Sequence, residues 1–286
     1  MSTDLTFHQH IEIVFQPLNK KKASLPAQGA LATALRSLVD KAAQAGTDTI
    51  ATSPQVTSWF GTAAVEMWTR GVHSFLISAA LTQVSPIWAS TSGYYASHYV
   101  MRGFAHLLGF FQLYRQKKCI VQIKISDGKH LCQITKKNAG DREHKFYWKT
   151  VKQHPSFEND PFFTNNVEDN DESDAAHRNI ASYSDHIGKF PSFRPLDEKH
   201  LKERLEKLAG IELSSVPIPN RERYPDVEAV QLVAYHRIVK FRGILDEVLG
   251  GKNRFWNVHR NPAWCADFVN FQVVEPTFIS SYGAQR

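Results

Sequence analysis

Residues 93–111 read Gly93-Tyr94-Tyr95-Ala96-Ser97-His98-Tyr99-Val100-Met101-Arg102-Gly103-Phe104-Ala105-His106-Leu107-Leu108-Gly109-Phe110-Phe111. Tyr95, His98, Tyr99, Arg102, His106 and Gly109 recur at steps of three and four, which gathers them on one face of a helix. The other side carries Ala96, Val100, Phe104, Leu107, Leu108 and Phe111, enough apolar surface to hold the segment in a core. A guanidinium with an imidazole one turn to either side is not what a plain core helix requires. Burying that charge without partners costs on the order of several kcal/mol, so another element must come to this face.

Around this helix, composition sets the bounds. A chain of 286 residues with 42% hydrophobic content can bury one large core or two modest ones and is far from the disordered class. A net charge of +6 favours acidic partners and is compatible with contact to RNA or DNA. Cys119, Cys132 and Cys265 cannot all pair and show no Cys-x-x-Cys spacing, which points to a reducing compartment and against structural zinc. The N-terminus is polar, with His8 and His10, and no apolar run reaches about 18 residues, so neither a signal peptide nor a membrane span is expected. The expected location is the cytoplasm.

In chain order, His10 to Phe15 alternates loosely and reads as a short strand or an extended arm. Leu25 to Ala45 is rich in Ala, Leu, Lys and Arg between Pro26 and Gly46, the punctuation of a helix. Thr47 to Pro54 is linker-like. Thr57 or Ser58 can cap a helix from Trp59 to about Val84 that ends before Pro86. The organising helix then runs from about Ser90 to Arg115, and the short connection between the two makes them antiparallel. Glu66 and Arg70, with His73 beyond, read either as a surface ion pair or as a neutralising partner for Arg102.

Cys119 to Ile125 and His130 to Lys136 alternate about an Asp127-Gly128 turn, a strong hairpin signal. A two-residue turn pairs Ser126 with Lys129 and sets Cys132 opposite Ile123, so no disulfide joins Cys119 to Cys132. Lys124 and Lys129, with Lys117, Lys118, Lys136 and Lys137, either protect an edge or form a basic ribbon for nucleic acid or an acidic partner. An isolated hairpin is marginal, so it must pack on the helices or on a third strand.

Asp141 to Gln153 reads as a helix with Phe146, Tyr147, Val151 and Trp148 inward. Residues 157–176 carry seven carboxylates among four asparagines and read as a mobile acidic loop, without the glycine and ligand spacing of a calcium loop. Asp197 to Ala209 is a charged helix. Pro225 begins a regular helix from Asp226 to Leu249, buried along Val230, Val233, Ala234, Ile238, Phe241, Leu245 and Val248, with Arg237, Lys240 and Arg242 exposed. The tail, with Phe255, Trp256, Trp264 and further aromatics, must fold back or dock on another subunit. No internal repeat, glycine-rich phosphate loop or nucleophile triad is present, and neither a metal nor a cofactor is expected.

Tyr94-Tyr95-Ala96 followed by Arg102 and an apolar run resembles the Tyr-Tyr-Ala helix of small prokaryotic HEPN (higher eukaryotes and prokaryotes nucleotide-binding) proteins, which are helical bundles. His177-Arg178-Asn179-Ile180-Ala181-Ser182-Tyr183 is similar to that family's second signature, in the same order along the chain. The implied fold is mainly α, an antiparallel HEPN-like bundle over residues 56–250. An N-terminal arm and helix occupy 1–55, a β-hairpin is inserted at 115–140, the acidic loop spans 157–176, and an aromatic C-terminal extension covers 251–286.

The resemblance implies a metal-free mechanism for active members, in which Arg holds phosphate and His moves the ribose 2′-hydroxyl proton. Arg178 with His186, and Arg102, are the candidate catalytic residues. Tyr95, His98, His106, His177, Asn179, Tyr183, Lys124 and Lys129 are candidate binding residues. Polar Asn179 after Arg178 fits the pattern, but seven residues separate Arg178 from His186 where active members have four to six. On one helix the two would stand about 80° apart. Two functions follow from the resemblance. One is a nucleotide-, nucleic-acid- or partner-binding component of a prokaryotic toxin–antitoxin or antiphage defence system. The other is a metal-independent endoribonuclease completed by dimerisation. The expected partners are RNA or a nucleotide, and a second copy or a neighbouring gene's product.

Overall fold

Proline and a serine cap set the start of the first long helix. In the computed structural model, which describes residues 5–20, 29–113, 119–136, 143–164, 203 and 227–260, Ser53 accepts a hydrogen bond from the Val56 amide at 3.2 Å and Pro54 takes the first turn. This helix, Pro54–Leu81, therefore begins before the expected Thr57 or Ser58 cap, because proline's missing N–H costs nothing there. The next, Pro86–Leu107, begins the same way at Pro86. In chain order the elements are α1 (Phe7–Phe15), a 3-10 turn, α2 (Ala30–Gln44), β1 (Thr49–Ala51), α3 (Pro54–Leu81) and α4 (Pro86–Leu107). Then come β2 (Phe110–Leu113), β3 (Cys119–Ser126), β4 (Lys129–Lys136), α5 (Glu143–Lys152), α6 (Pro161–Thr164), α7 (Val227–Leu249) and α8 (Arg254–His259). The described residues are thus mostly helical with one small antiparallel sheet.

Glycines let α3, α4 and α7 approach closely. A Cβ on Gly71 of α3 would sit 2.5 Å from a Val100 methyl and 3.1 Å from the Ala96 carbonyl, and one on Gly103 of α4 would sit 3.1 Å from the Ala64 carbonyl. With Ser78 bonded to the Ala89 carbonyl at 2.6 Å, these pairings run in opposite directions along the two chains, so α3 and α4 are antiparallel as expected. Gly93 meets Val230 and Gly103 meets Phe241, so α7 runs parallel to α4. Gln231 of α7 donates to Ser78 and Thr82 of α3, and the Trp68 indole donates to the Ile238 carbonyl at 3.0 Å.

Several expectations are corrected. His10 to Phe15 is helical: Thr6 and Gln9 form a capping box, and Ile11, Val14 and Phe15 bury one face. The organising helix stops at Leu107, where Gly109 adopts φ +79° and turns the chain into β2. The aromatic residues after Gly109 suit a pleated strand. The supposed linker contains β1, which pairs with β4.

The hairpin has the expected register, with Ser126 opposite Lys129 and Ile123 opposite Cys132; Cys119 and Cys132 are buried free thiols. Strand order is β1-β4-β3-β2, so the hairpin gains a strand on each side. Cys119, Val121, Ile123 and Cys132 pack with Leu31, Leu35 and Val39 of α2 and with Phe60 of α3.

Residues 157–164 are not loose acidic loop: Phe157 and Phe163 are fully buried and meet Phe104 edge-on. Asp160 accepts from the Phe162 amide and pairs with His236 at 3.2 Å. Burial alone would raise its carboxyl, but the bond to His236, that residue's charge, the Phe162 amide and Lys240 hold it below the usual carboxylate value. The rest of the acidic stretch and the 197–209 helix, apart from Glu203, lie outside the described residues. Arg237 and Arg242, expected outside, are buried. Phe255 and Trp256 of the aromatic tail fold back on the bundle, Trp256 meeting Trp68 at 5.5 Å between ring centroids; residues 261–286 are outside the description.

Because Val100 is β-branched and the Ala96 carbonyl is backbone, neither neighbour of Gly71 gives way cheaply. Gly71→Ala is expected to lower unfolding free energy by about 1–3 kcal/mol in urea titration, with an unchanged slope.

Candidate functional site

Along α4 only Ile87, Trp88, Ser92, Tyr95, Tyr99 and Arg102 keep solvent contact; every other position is buried. At 100° per residue, Trp88, Tyr95, Tyr99 and Arg102 fall within about 60° of one another, and they span about 21 Å of helix. The partly exposed positions of α4 thus include a narrow stripe of three aromatic rings ending in a guanidinium. Trp88 is 59% exposed, and the Tyr95 and Tyr99 ring centroids lie 6.2 Å apart.

The imidazoles that share the face with Arg102 take the opposite fate, because α5 covers them. Trp148 stacks on Tyr94 and donates its indole N–H to His98 Nδ1 at 3.4 Å. His106 donates from Nδ1 to the Phe110 carbonyl at 2.9 Å, stacks on Phe111, and meets Tyr147 edge-on. Burial, then the nearby Arg102 charge, lower the His106 pKa to about 3 against a weak opposing pull from the Phe110 carbonyl. An imidazole that titrates so far below neutrality is a weak base, poorly matched to taking the ribose 2′-hydroxyl proton.

Two guanidiniums clasp α5. Arg102 sits 5.3 Å from the Tyr147 ring centroid, and Arg237 of α7 sits 4.5 Å from that of Trp148. The Tyr147 hydroxyl accepts from the Gln112 amide at 3.3 Å, tying the same helix to β2. Among the described residues, the element that comes to the polar side of α4 is α5. Arg178, His186, His177, Asn179 and Tyr183 lie outside the described residues. Lys124 and Lys129 are exposed on the hairpin, Lys129 at its turn. Glu66 and Arg70 form the expected surface pair at 2.6 Å with both side chains more than half exposed, a contribution of at most about 1 kcal/mol.

No family model matches the chain, and no curated protein or solved structure matches it. Function has to be read from side chains. Among the described residues no cluster of three or more His, Cys, Asp or Glu could hold a metal ion, and no helix is long and apolar enough to cross a membrane.

The sequence sets Tyr95, His98, Arg102 and His106 on one face of α4, but the structure buries His98 and His106 and leaves Tyr95 and Arg102 partly exposed; the reading missed Trp88 by starting the helix at Ser90, and it missed Arg237. The signal for Trp88 was present: positions 88, 95, 99 and 102 share a helical stripe once Pro86 is taken as the first residue.

His106 and His10, the latter lowered to about 4 by burial and by His130 and His154, give the fold an acid sensitivity. Below the ordinary value of 6.5 the unfolded imidazoles take up protons that the folded ones refuse. The folded state is favoured fully above that pH and loses stability as pH falls toward about 4 and then about 3. Urea titrations from neutral pH down to about pH 5 should show a shallower decline for His106→Leu than for the wild type.

Proposed function

We propose that this chain is a HEPN-like nucleic-acid-binding component of a prokaryotic toxin–antitoxin or antiphage defence system, working in the cytoplasm and holding single-stranded RNA along α4. The system-level role comes from the resemblance of Tyr94-Tyr95-Ala96…Arg102 and of Arg178 to Tyr183 to the small HEPN proteins. The observation that carries the binding reading is the stripe Trp88, Tyr95, Tyr99 and Arg102, aligned and at least partly exposed on an otherwise largely buried helix. Aromatic faces in series accept any base by stacking, and a guanidinium supplies the phosphate contact. Exposed Lys124, Lys129 and Lys136 add positive charge on the hairpin.

Binding is favoured over catalysis because the two imidazoles flanking Arg102 are buried, and one of them is held far below neutral titration. The endoribonuclease alternative depends on Arg178 and His186 joining Arg102, directly or across a dimer. The same stripe has the Tyr, Trp and Arg composition of protein-interface hot spots, so a second copy or a neighbouring gene's product is the competing occupant.

Fluorescence anisotropy with a labelled RNA oligonucleotide, in chelator, tests the reading. Replacing both Tyr95 and Tyr99 by Ala is expected to weaken binding by about tenfold or more. Arg102→Ala should lower the salt dependence of binding, whereas Arg70→Ala, which removes an equal charge from the α3 surface, should change affinity little. Full affinity in the double tyrosine variant would sink the proposal. RNA cleavage lost on Arg178→Ala would establish the nuclease instead.

A further inference from the structure

The end of α7 and the start of the C-terminal segment hold a charge cluster that the proposed function leaves unused. Asp246 Oδ2 accepts from Arg242 Nε at 3.3 Å and from Arg260 Nη2 at 3.1 Å, while its Oδ1 accepts from the Trp256 indole N–H at 2.7 Å. One carboxylate therefore serves two guanidiniums, leaving a surplus of one positive charge. Both of its oxygens are already engaged. Arg242 is only 6% exposed, yet its Nη1 has no hydrogen-bond partner, and neither does the buried Nε of Arg260.

The arrangement is unbalanced in a specific direction. A buried charged donor without an acceptor is among the costliest polar defects a fold can carry, and a guanidinium presents its N–H groups in a planar fork suited to an oxyanion. Burial pushes the Arg242 pKa down, Asp246 draws it back up, and the charge of Arg260 pushes it down again. The Asp246 and Arg260 side chains are each about a third exposed, at 30% and 32%, while Arg242 forms the floor. The cluster is open to solvent on one side.

We propose that Arg242 and Arg260 form a binding site for one small oxyanion, a phosphate or carboxylate group, seated beside Asp246 with Trp256 fixing that carboxylate in place. The anion accepts from Arg242 Nη1 and Arg260 Nε, the donors that Asp246 cannot reach. This site is separate from the α4 stripe and stands whether or not RNA binds there.

Equilibrium dialysis of the full chain against radiolabelled inorganic phosphate, and separately against acetate, at constant ionic strength, tests it. Uptake of about one anion per chain is expected, and whichever anion binds identifies the phosphoryl or carboxylate source. Arg260→Gln, at the solvent-facing rim, should weaken uptake by about tenfold, and Asp246→Asn, which retains an acceptor for Trp256 but removes the competing charge, should strengthen it. Arg70→Ala, which removes an exposed surface charge from α3, should leave it unchanged. Absence of stoichiometric uptake of either anion, or uptake insensitive to both Arg260→Gln and Asp246→Asn, would overturn the assignment.

Discussion

A fully buried guanidinium governs how the helices of this protein assemble. Arg237 has no exposed surface, and its Nε and Nη2 donate to the Phe162 carbonyl while its charge lies over the Trp148 ring. A buried cation is tolerable only where its hydrogen bonds and its charge are both met, and the elements that meet them must stay in place. Arg237 thereby fixes α5 and α6 against α7. Trp148 in turn stacks on Tyr94, and its neighbour Tyr147 receives Arg102, so α5 is held from α4 and α7 at once. A ten-residue helix has little stability of its own, and this clasp supplies it.

That docking divides the chemistry of α4. His98 and His106 pass beneath α5 and are buried there, each with its Nδ1 engaged, and burial holds His106 well below its ordinary pKa. Tyr95, Tyr99 and Arg102 stay at the margin, and Trp88 extends the same line toward the start of the helix. The face that looked in sequence like one Arg and His constellation is thus two surfaces: imidazoles buried beneath α5, and a partly exposed aromatic line beside them.

Much of this was legible from residues, and the failures have physical causes. The hairpin register was readable because Asp127-Gly128 permits one tight turn, with Asp127 at φ +49° and Gly128 at φ +72°, and the turn fixes every pair behind it. The buried stripe of α7 was readable from its period. The exposure of Arg237 was not, because a helical period assigns charge to solvent and has no knowledge of a carbonyl at Phe162 waiting across the interface. The end of α4 was missed for a related reason: Phe110 to Leu113 continue the apolar pattern of the helix, and only the left-handed conformation of Gly109 separates helix from strand. The N-terminal helix shows the reverse, since its Thr6 and Gln9 capping box was written in the sequence and overlooked in favour of a loose alternation. The second arginine signature, at Arg178, lies outside the described residues.

The central claim is that an RNA strand lies on the aromatic line of α4 and not on the lysines of the hairpin. Ultraviolet cross-linking of the full chain to RNA carrying 4-thiouridine, followed by peptide mapping by mass spectrometry, tests this directly. Adducts on Trp88, Tyr95 or Tyr99 are the predicted result, and adducts confined to the hairpin around Lys124 and Lys129, with the α4 peptide unmodified, would contradict it.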